Sequence, residues 1–250
     1  MKGGVIMNNT ALDYGWYIVG DENTDPRFRV ITGKGKKTPN NMSINRWVHP
    51  IRSTDDINKC KEHLKNDFLS ETGTKKMAAG RDYLLFILGI NFGIRVSDLI
   101  KIKYSDIFLD GKYRDCVNVK EIKTKKIRTL YINESVRNAI DFYLTETGIK
   151  YNTNDYLFVN CRTGKQITDR AVEIMIKRVT KECGIEGNYN THSLRKTFAY
   201  HLYMRLQENG DPLALPKVQK MLNHRNQIDT LRYLGLQREA EMDMMENLCL

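Results

Sequence analysis

The chain has 250 residues, 40 of them Lys or Arg and 30 Asp or Glu, for a formal charge of +10. Hydrophobic residues make up 41%, enough for a core, so wholesale disorder is excluded, and the length suits one large domain or two small ones. The longest clean apolar stretch, Tyr83–Ile90, is far short of the roughly 20 residues needed to cross a bilayer. The first thirty residues hold Asp13, Asp21, Glu22 and Asp25 and no continuous apolar run of the signal-peptide kind. A membrane or secreted protein is not expected, and a cytoplasmic one is. The five cysteines, Cys60, Cys116, Cys161, Cys183 and Cys249, are scattered with no C-x-x-C pair. That is neither a disulfide framework nor a zinc spacing, and they read as reduced thiols. The basic surplus points to nucleic acid as partner, with an anionic surface second.

Residues 1–50 differ in texture from the rest. Two short apolar runs, Trp16–Val19 and Phe28–Ile31, flank the turn-forming DENTDP, and the basic stretch ITGKGKKTPNN follows. GKGKKT falls short of a phosphate-binding loop, because Lys37 stands where Ser or Thr is needed and Val30 where the first Gly is needed. This part is expected to be an N-terminal extension of hairpin and loop, with Lys34, Lys36 and Lys37 as candidate DNA contacts. A second unit is expected over 51–250.

From Ser53 the period becomes helical. Ser53 or Thr54 caps a helix whose Ile57, Cys60, Leu64 and Phe68 share one face. A helix over about 76–91 is apolar nearly all round, Gly93 ends it, and Ser97 caps a short helix with Leu99 and Ile100. Val117–Ile122 and Ile127–Ile132 alternate as strands, with Tyr156–Val159 as a candidate third. Helices return at Glu134–Thr147, at Asp169–Cys183 behind Thr168, at His192–Gln207 behind Thr191, and at about 216–223. A last helical part runs from Ile228. The expected fold is mainly α with a small antiparallel β-sheet, an α+β class.

Four local features carry chemistry. GIRVSDL puts Arg95 after a glycine turn and Asp98 three residues on, on the same helical face. KTKKIR puts Lys123, Lys125, Lys126 and Arg128 at or near a hairpin tip. THSLR puts His192 and Arg195 on the first turn of a helix, where free N–H groups favour an anion. LNHRNQIDTLRY puts His224 nine residues before Tyr233. Each alone is an ordinary structural pattern: a surface ion pair, a solvated turn, a core-edge tyrosine.

Together and in this order, these features resemble the catalytic domain of the tyrosine recombinases, the phage integrase family, which shares its chemistry with the type IB topoisomerases. The resemblance runs from about Ile51 to about Gln237. Asn223 departs from the pattern, since the family usually has Gly before that His. The second departure is the N-terminal part, because the family normally places a helical DNA-clamping domain there. The chain is then either a minimal recombinase or the C-terminal part of a longer protein.

The resemblance implies that Tyr233 is the nucleophile, Arg95 and Arg195 bind the non-bridging oxygens, Lys123 is the general acid, His192 the base, and His224 a further donor. Asp98 would orient the site. It implies transesterification through a 3′-phosphotyrosine, with neither cofactor nor metal. Double-stranded DNA would be the partner, and a protein monomeric when free would form a homotetramer on paired sites. Lys125, Lys126, Arg162, Lys165, Arg170, Lys177 and Arg178 join the lysines of the extension as candidate phosphate contacts. Two other readings share these residues: a relaxing topoisomerase acting alone, and an idle DNA-binding protein that kept the fold. Glu239–Leu250 reads as an amphipathic tail helix with a Met-rich face, docking either on its own domain or on a neighbouring protomer.

Overall fold

The computed structural model describes residues 47–236 and Met245. The basic stretch with Lys34, Lys36 and Lys37, and all of the 239–250 tail but Met245, lie outside the described residues. Helix α1 (Thr54–Ser70) starts where the Ser53 hydroxyl accepts from Asp56 N–H, and it buries Ile57, Cys60, Leu64 and Phe68 as its spacing predicts. Helix α2 (Gly73–Phe92) is buried along most of its second half and runs through the core. Helix α5 (Glu134–Thr147), capped by Asn133, and α6 (Asp169–Glu182), capped by Thr168, pack around it with one buried face each. Phe68 meets Phe142 edge to face at 5.4 Å, closing α1 on α5. No helix among the described residues is long and apolar enough to cross a membrane.

Between α2 and α5 the chain forms short pieces: α3 (Val96–Leu99), α4 (Tyr104–Ile107), and two separate antiparallel ribbons. Strands β1 (Phe108–Leu109) and β2 (Lys112–Tyr113) turn on Asp110 and Gly111, both at positive φ. This Asp-Gly hairpin signal is absent from the sequence reading above. Strands β3 (Cys116–Lys120) and β4 (Ile127–Tyr131) pair with Lys120 opposite Ile127, each one residue shorter than its alternating run. The expected third strand does not form. Tyr156 and Val159 make only isolated bridges, to Lys103 and Gln166, because the segment pairs with loops and not with the ribbon.

A second, smaller core is built by α7 (Thr191–Glu208), α8 (Ala214–Leu222) and α9 (Gln227–Leu234), around Ala199, Val218, Leu222, Leu234 and Leu236. Helix α7 belongs to both cores, since Leu194 lies in the first and Ala199 in the second. Its N-cap is Asn190, one residue earlier than expected, and Ser193 completes a capping box. Glycines set how closely α2 approaches α7. A Cβ on Gly89 would lie 2.5 Å from Leu194 Cδ1, and one on Gly93 would lie 2.0 Å from Phe198 Cδ1. Gly93 also caps α2 at φ 58°, a left-handed conformation that costs other residues roughly 1–2 kcal/mol. Gly93→Ala should therefore destabilise by more than that strain alone, because Phe198 must also move; urea unfolding followed by circular dichroism measures it.

Candidate active site

The close α2–α7 approach brings together two arginines that are a hundred residues apart in sequence. Arg95 follows the Gly93 turn as the N-cap of α3, and Arg195 lies on the second turn of α7. Between them is a carboxylate that the motif reading passed over. Glu121, in the loop that joins β3 to β4, has a side chain 1% exposed and faces three guanidiniums. Its Oε2 is 3.2 Å from Arg95 Nη1, and its Oε1 is 3.6 Å from Arg195 Nη1 and 3.7 Å from Arg128 Nη1. The Thr124 hydroxyl donates to Oε2 at 2.6 Å. Burial by itself would raise the Glu121 pKa, but that hydroxyl and the three cations override it and hold the carboxyl below its usual 4.5. A sequence signal did exist: Glu121 continues the inward parity of Val117 and Val119, where an apolar residue would be expected.

Two of the three guanidiniums have a further anchor. Arg195 Nη2 donates to Leu222 O at 3.0 Å, taking a carbonyl at the C-terminal end of α8, and Arg128 Nη1 reaches Gly93 O at 3.3 Å. Asp98 lies buried below and orients a different part of the site from its helical neighbour Arg95. Its Oδ1 accepts from Ile122 N–H at 2.9 Å and so pins the loop that carries Lys123.

Lys123 is exposed on that loop, and its charge acts on His192. Burial, with Arg195, Lys196, Arg95 and Lys123 added to it, pushes the His192 pKa below 6.5, so the ring is neutral at pH 7. His224 is lowered in the same sense, by burial and then by Arg195, and its Nδ1 lies 3.1 Å from the Thr230 hydroxyl. Asn223, where the related motif has Gly, is at φ 57° as the C-cap of α8. Asn is among the few other residues that adopt that conformation readily, which accounts for the departure. Its side chain adds a contact glycine lacks: Lys126 Nζ donates to Asn223 Oδ1 at 2.7 Å, tying the β3–β4 loop to the His224 turn.

Tyr233, on α9, meets the His224 ring edge to face at 5.1 Å. Burial pushes its phenol above the usual 10, and the Arg195 guanidinium beside the hydroxyl opposes that without an aligned hydrogen bond. All the buried side-chain polar atoms that lack a well-formed hydrogen bond, among the described residues, belong to this cluster. They are Arg95 Nη1, Asp98 Oδ2, Glu121 Oε1, Arg195 Nη1 and Tyr233 Oη. Buried polar groups are seldom left so, and four of these five face one another, Arg95 and Arg195 at Glu121 and Tyr233 beside Arg195.

The structure thus brings Arg95, Lys123, His192, Arg195, His224 and Tyr233 to one place, with Glu121 and Arg128 added. The candidate phosphate contacts divide. Lys125, Arg162 and Lys165 are exposed, whereas Arg170 and Lys177 both pair with Glu173. Arg178 is taken up by Asp67 at 2.9 Å and Glu182 at 3.0 Å.

This fold and this grouping define a tyrosine-recombinase catalytic domain. Residues 57–239 match the phage integrase family, and the chain belongs to that family. It is 33% identical over 193 residues to the probable integrase/recombinase YoeC of Bacillus subtilis, covering 77% of this chain and 92% of that one. It is 37% identical over 155 residues to the tyrosine recombinase XerC of Staphylococcus epidermidis, covering 61% of this chain and 48% of XerC, so the match takes in only about half of that relative's length. The crystal structure of XerA recombinase superposes with a TM-score of 0.57 at 26% identity, over 81% of this chain and 67% of XerA.

Replacing Glu121 by Gln keeps its shape and removes the charge among three cations, which should cost roughly 3 kcal/mol of unfolding free energy. The sign with pH follows from the lowered carboxyl. Its stabilisation is present above pH 4.5 and lost as pH falls through the depressed value, so Glu121→Gln should lack that part of the acid transition. Denaturant midpoints measured between pH 3 and 7 check both.

Proposed function

We propose that this chain is a site-specific DNA recombinase that cuts and rejoins strands by transesterification, with its catalytic domain over 51–250 after an N-terminal extension. The observation that carries the reading is the meeting of Arg95, Arg195 and Tyr233 in one buried cluster, where Arg95 Nη1, Arg195 Nη1 and Tyr233 Oη have no well-formed hydrogen bond. Two guanidiniums and a phenol suit a phosphodiester, because each guanidinium can give parallel N–H bonds to non-bridging oxygens where charge builds in the transition state.

Tyr233 Oη attacks phosphorus, a P–O bond to tyrosine forms, and the bond to the 5′ oxygen breaks. An unperturbed phenol is ionised in only about one molecule in a thousand at pH 7, and burial lowers that fraction further, so a base must take the proton. His192, kept neutral by its surroundings, takes it. Lys123 gives a proton to the leaving 5′ oxygen. His224, with Nδ1 at the Thr230 hydroxyl, has Nε2 for a non-bridging oxygen. A free 5′ hydroxyl on another strand then reverses the step, and bond energy is conserved. Exchange between two duplexes involves four strands and one tyrosine for each, which supports a homotetramer on paired sites.

Tyr233→Phe should form no SDS-resistant DNA adduct yet bind DNA nearly as well as wild type, since no cation is lost. Arg95→Ala and Arg195→Ala should each slow single-turnover cleavage by about 10²–10³. Lys123→Ala should be slow on ordinary DNA and largely rescued when the 5′ bridging oxygen is sulfur; rescue of Lys126→Ala instead would move the acid by three residues. On the acid side, adduct formation should hold down to pH 6.5 and decline below it, as His192 gains a proton at its lowered pKa. Log affinity for duplex DNA should fall against log salt by about 0.9 per phosphate neutralised.

A further inference from the structure

Lys196 follows Arg195 on α7 and belongs to none of the roles above. Its side chain is almost wholly inside the protein, at 6% exposure. Among the described residues no carboxylate pairs with it. Its ammonium lies instead against two aromatic rings, 4.0 Å from the Trp47 centroid and 4.9 Å from that of Tyr233. Both distances are within reach of cation–π attraction, which strengthens when the cation is desolvated.

Trp47 is held there by the segment it begins. Residues 47–52 lie along α7 through two backbone anchors: Ile51 N–H donates to Thr197 Oγ1 at 2.8 Å, and Ile51 O meets His201 Nε2 at 2.9 Å. His49 N–H donates to Asn188 O at 2.9 Å, and Asn188 N–H donates back to His49 Nδ1 at 3.0 Å. The end of this strap reaches the helix that carries Tyr233. Arg52 Nη2 donates to Gly235 O at 2.7 Å, at the C-cap of α9. The strap therefore touches the Tyr233 helix twice, directly through Arg52 and by way of Lys196 through Trp47.

We propose that Lys196, seated by Trp47, is a positioning residue for Tyr233: the ammonium holds the phenol ring by its face and aims the hydroxyl at the arginines. This rests on reading Tyr233 as the nucleophile. A cation on the ring face favours the phenolate over the phenol, so the contact strengthens as the hydroxyl loses its proton. The charged and titratable groups around Lys196 are His49 and Arg52 on the strap, His192 and Arg195 on its own helix, and Tyr233 on α9. Burial lowers the Lys196 pKa to about 8, well apart from His49, which is pushed below 6.5. The ammonium is thus present below pH 8 and lost above it.

The test uses the full chain. Lys196→Met should slow single-turnover adduct formation on nicked duplex DNA about tenfold, the size of one desolvated cation–π contact in a rate. DNA affinity should be little changed, and Lys196→Arg should restore most of the rate, because a guanidinium also stacks. Trp47→Leu removes no charge and should slow the reaction in the same direction, and the double variant should be no slower than Lys196→Met. A second readout needs no DNA. With the other tryptophan, Trp16, changed to Phe, Trp47 emission should titrate near pH 8 and lose that transition in Lys196→Met.

Wild-type rates in both Trp47→Leu and Lys196→Met would overturn the proposal. So would additive effects, or a loss at Lys196→Met that lies in DNA affinity and salt slope, which marks a phosphate contact instead. If Lys196→Met does not fold, the half-exposed Trp47 decides through Trp47→Leu and Trp47→Phe, the latter retaining most of the rate. An adduct formed equally by wild type and Tyr233→Phe would overturn the nucleophile reading itself, with the Trp47 titration still intact.

Discussion

A single buried carboxylate makes the rest of the site affordable. Three guanidiniums within 4 Å of one point would repel one another and could not remain desolvated without a counter-charge. Glu121 provides one negative charge against their three. The balance is deliberately incomplete in the physical sense that a net cationic potential survives in a dry place. That is the condition under which donors bind an anion most strongly, because little solvent competes and nothing must reorganise. The same carboxylate fixes direction. With Glu121 on one side, Arg195 also tied to Leu222 O and Arg128 to Gly93 O, the guanidinium planes have few rotamers left.

This cluster depends on chain segments that are distant in sequence, and backbone packing brings them together. Gly89 and Gly93 let α7 come against α2 without intervening side-chain bulk, so that Arg95 emerges beside Arg195. Helix α7 spans both hydrophobic cores and thereby carries Arg195 to their junction, where α8 and α9 deliver His224 and Tyr233. The β3–β4 ribbon approaches from the other side. Its outer face is open, with Ile127 and Tyr131 exposed, and its loop is secured at both flanks, by Asp98 at Ile122 and by Asn223 at Lys126. The strap of residues 47–52 closes the circuit by joining α7 to the end of α9.

Electrostatics and packing therefore act on the same residues. The cations that lower His192 and His224 also oppose the burial that raises Tyr233, so one group of charges keeps the imidazoles neutral while easing ionisation of the phenol. Lys196 extends that field along α7 with no carboxylate among the described residues to cancel it, and two aromatic rings lie against it.

The amino-acid sequence by itself determined the helices with one apolar face, the cap at Thr168 and one at Ser53 or Thr54, the Gly93 stop, and the two alternating strands, because these depend on residues a few positions apart. It also determined the family, since the order and spacing of Arg95, Lys123, His192, Arg195, His224 and Tyr233 survive as a linear pattern. What only the tertiary structure decided were pairings across long separations. Tyr156–Val159 has the local look of a strand and finds no strand to pair with. Arg178 looks like a phosphate contact and is paired across to Asp67 on α1. Asp98 was legible as a supporting residue, but its partner, the Ile122 N–H, was not. Glu121 left only a strand-parity signal and Lys196 none, for one reason: a buried charge has no meaning in a sequence until packing shows what else is buried beside it.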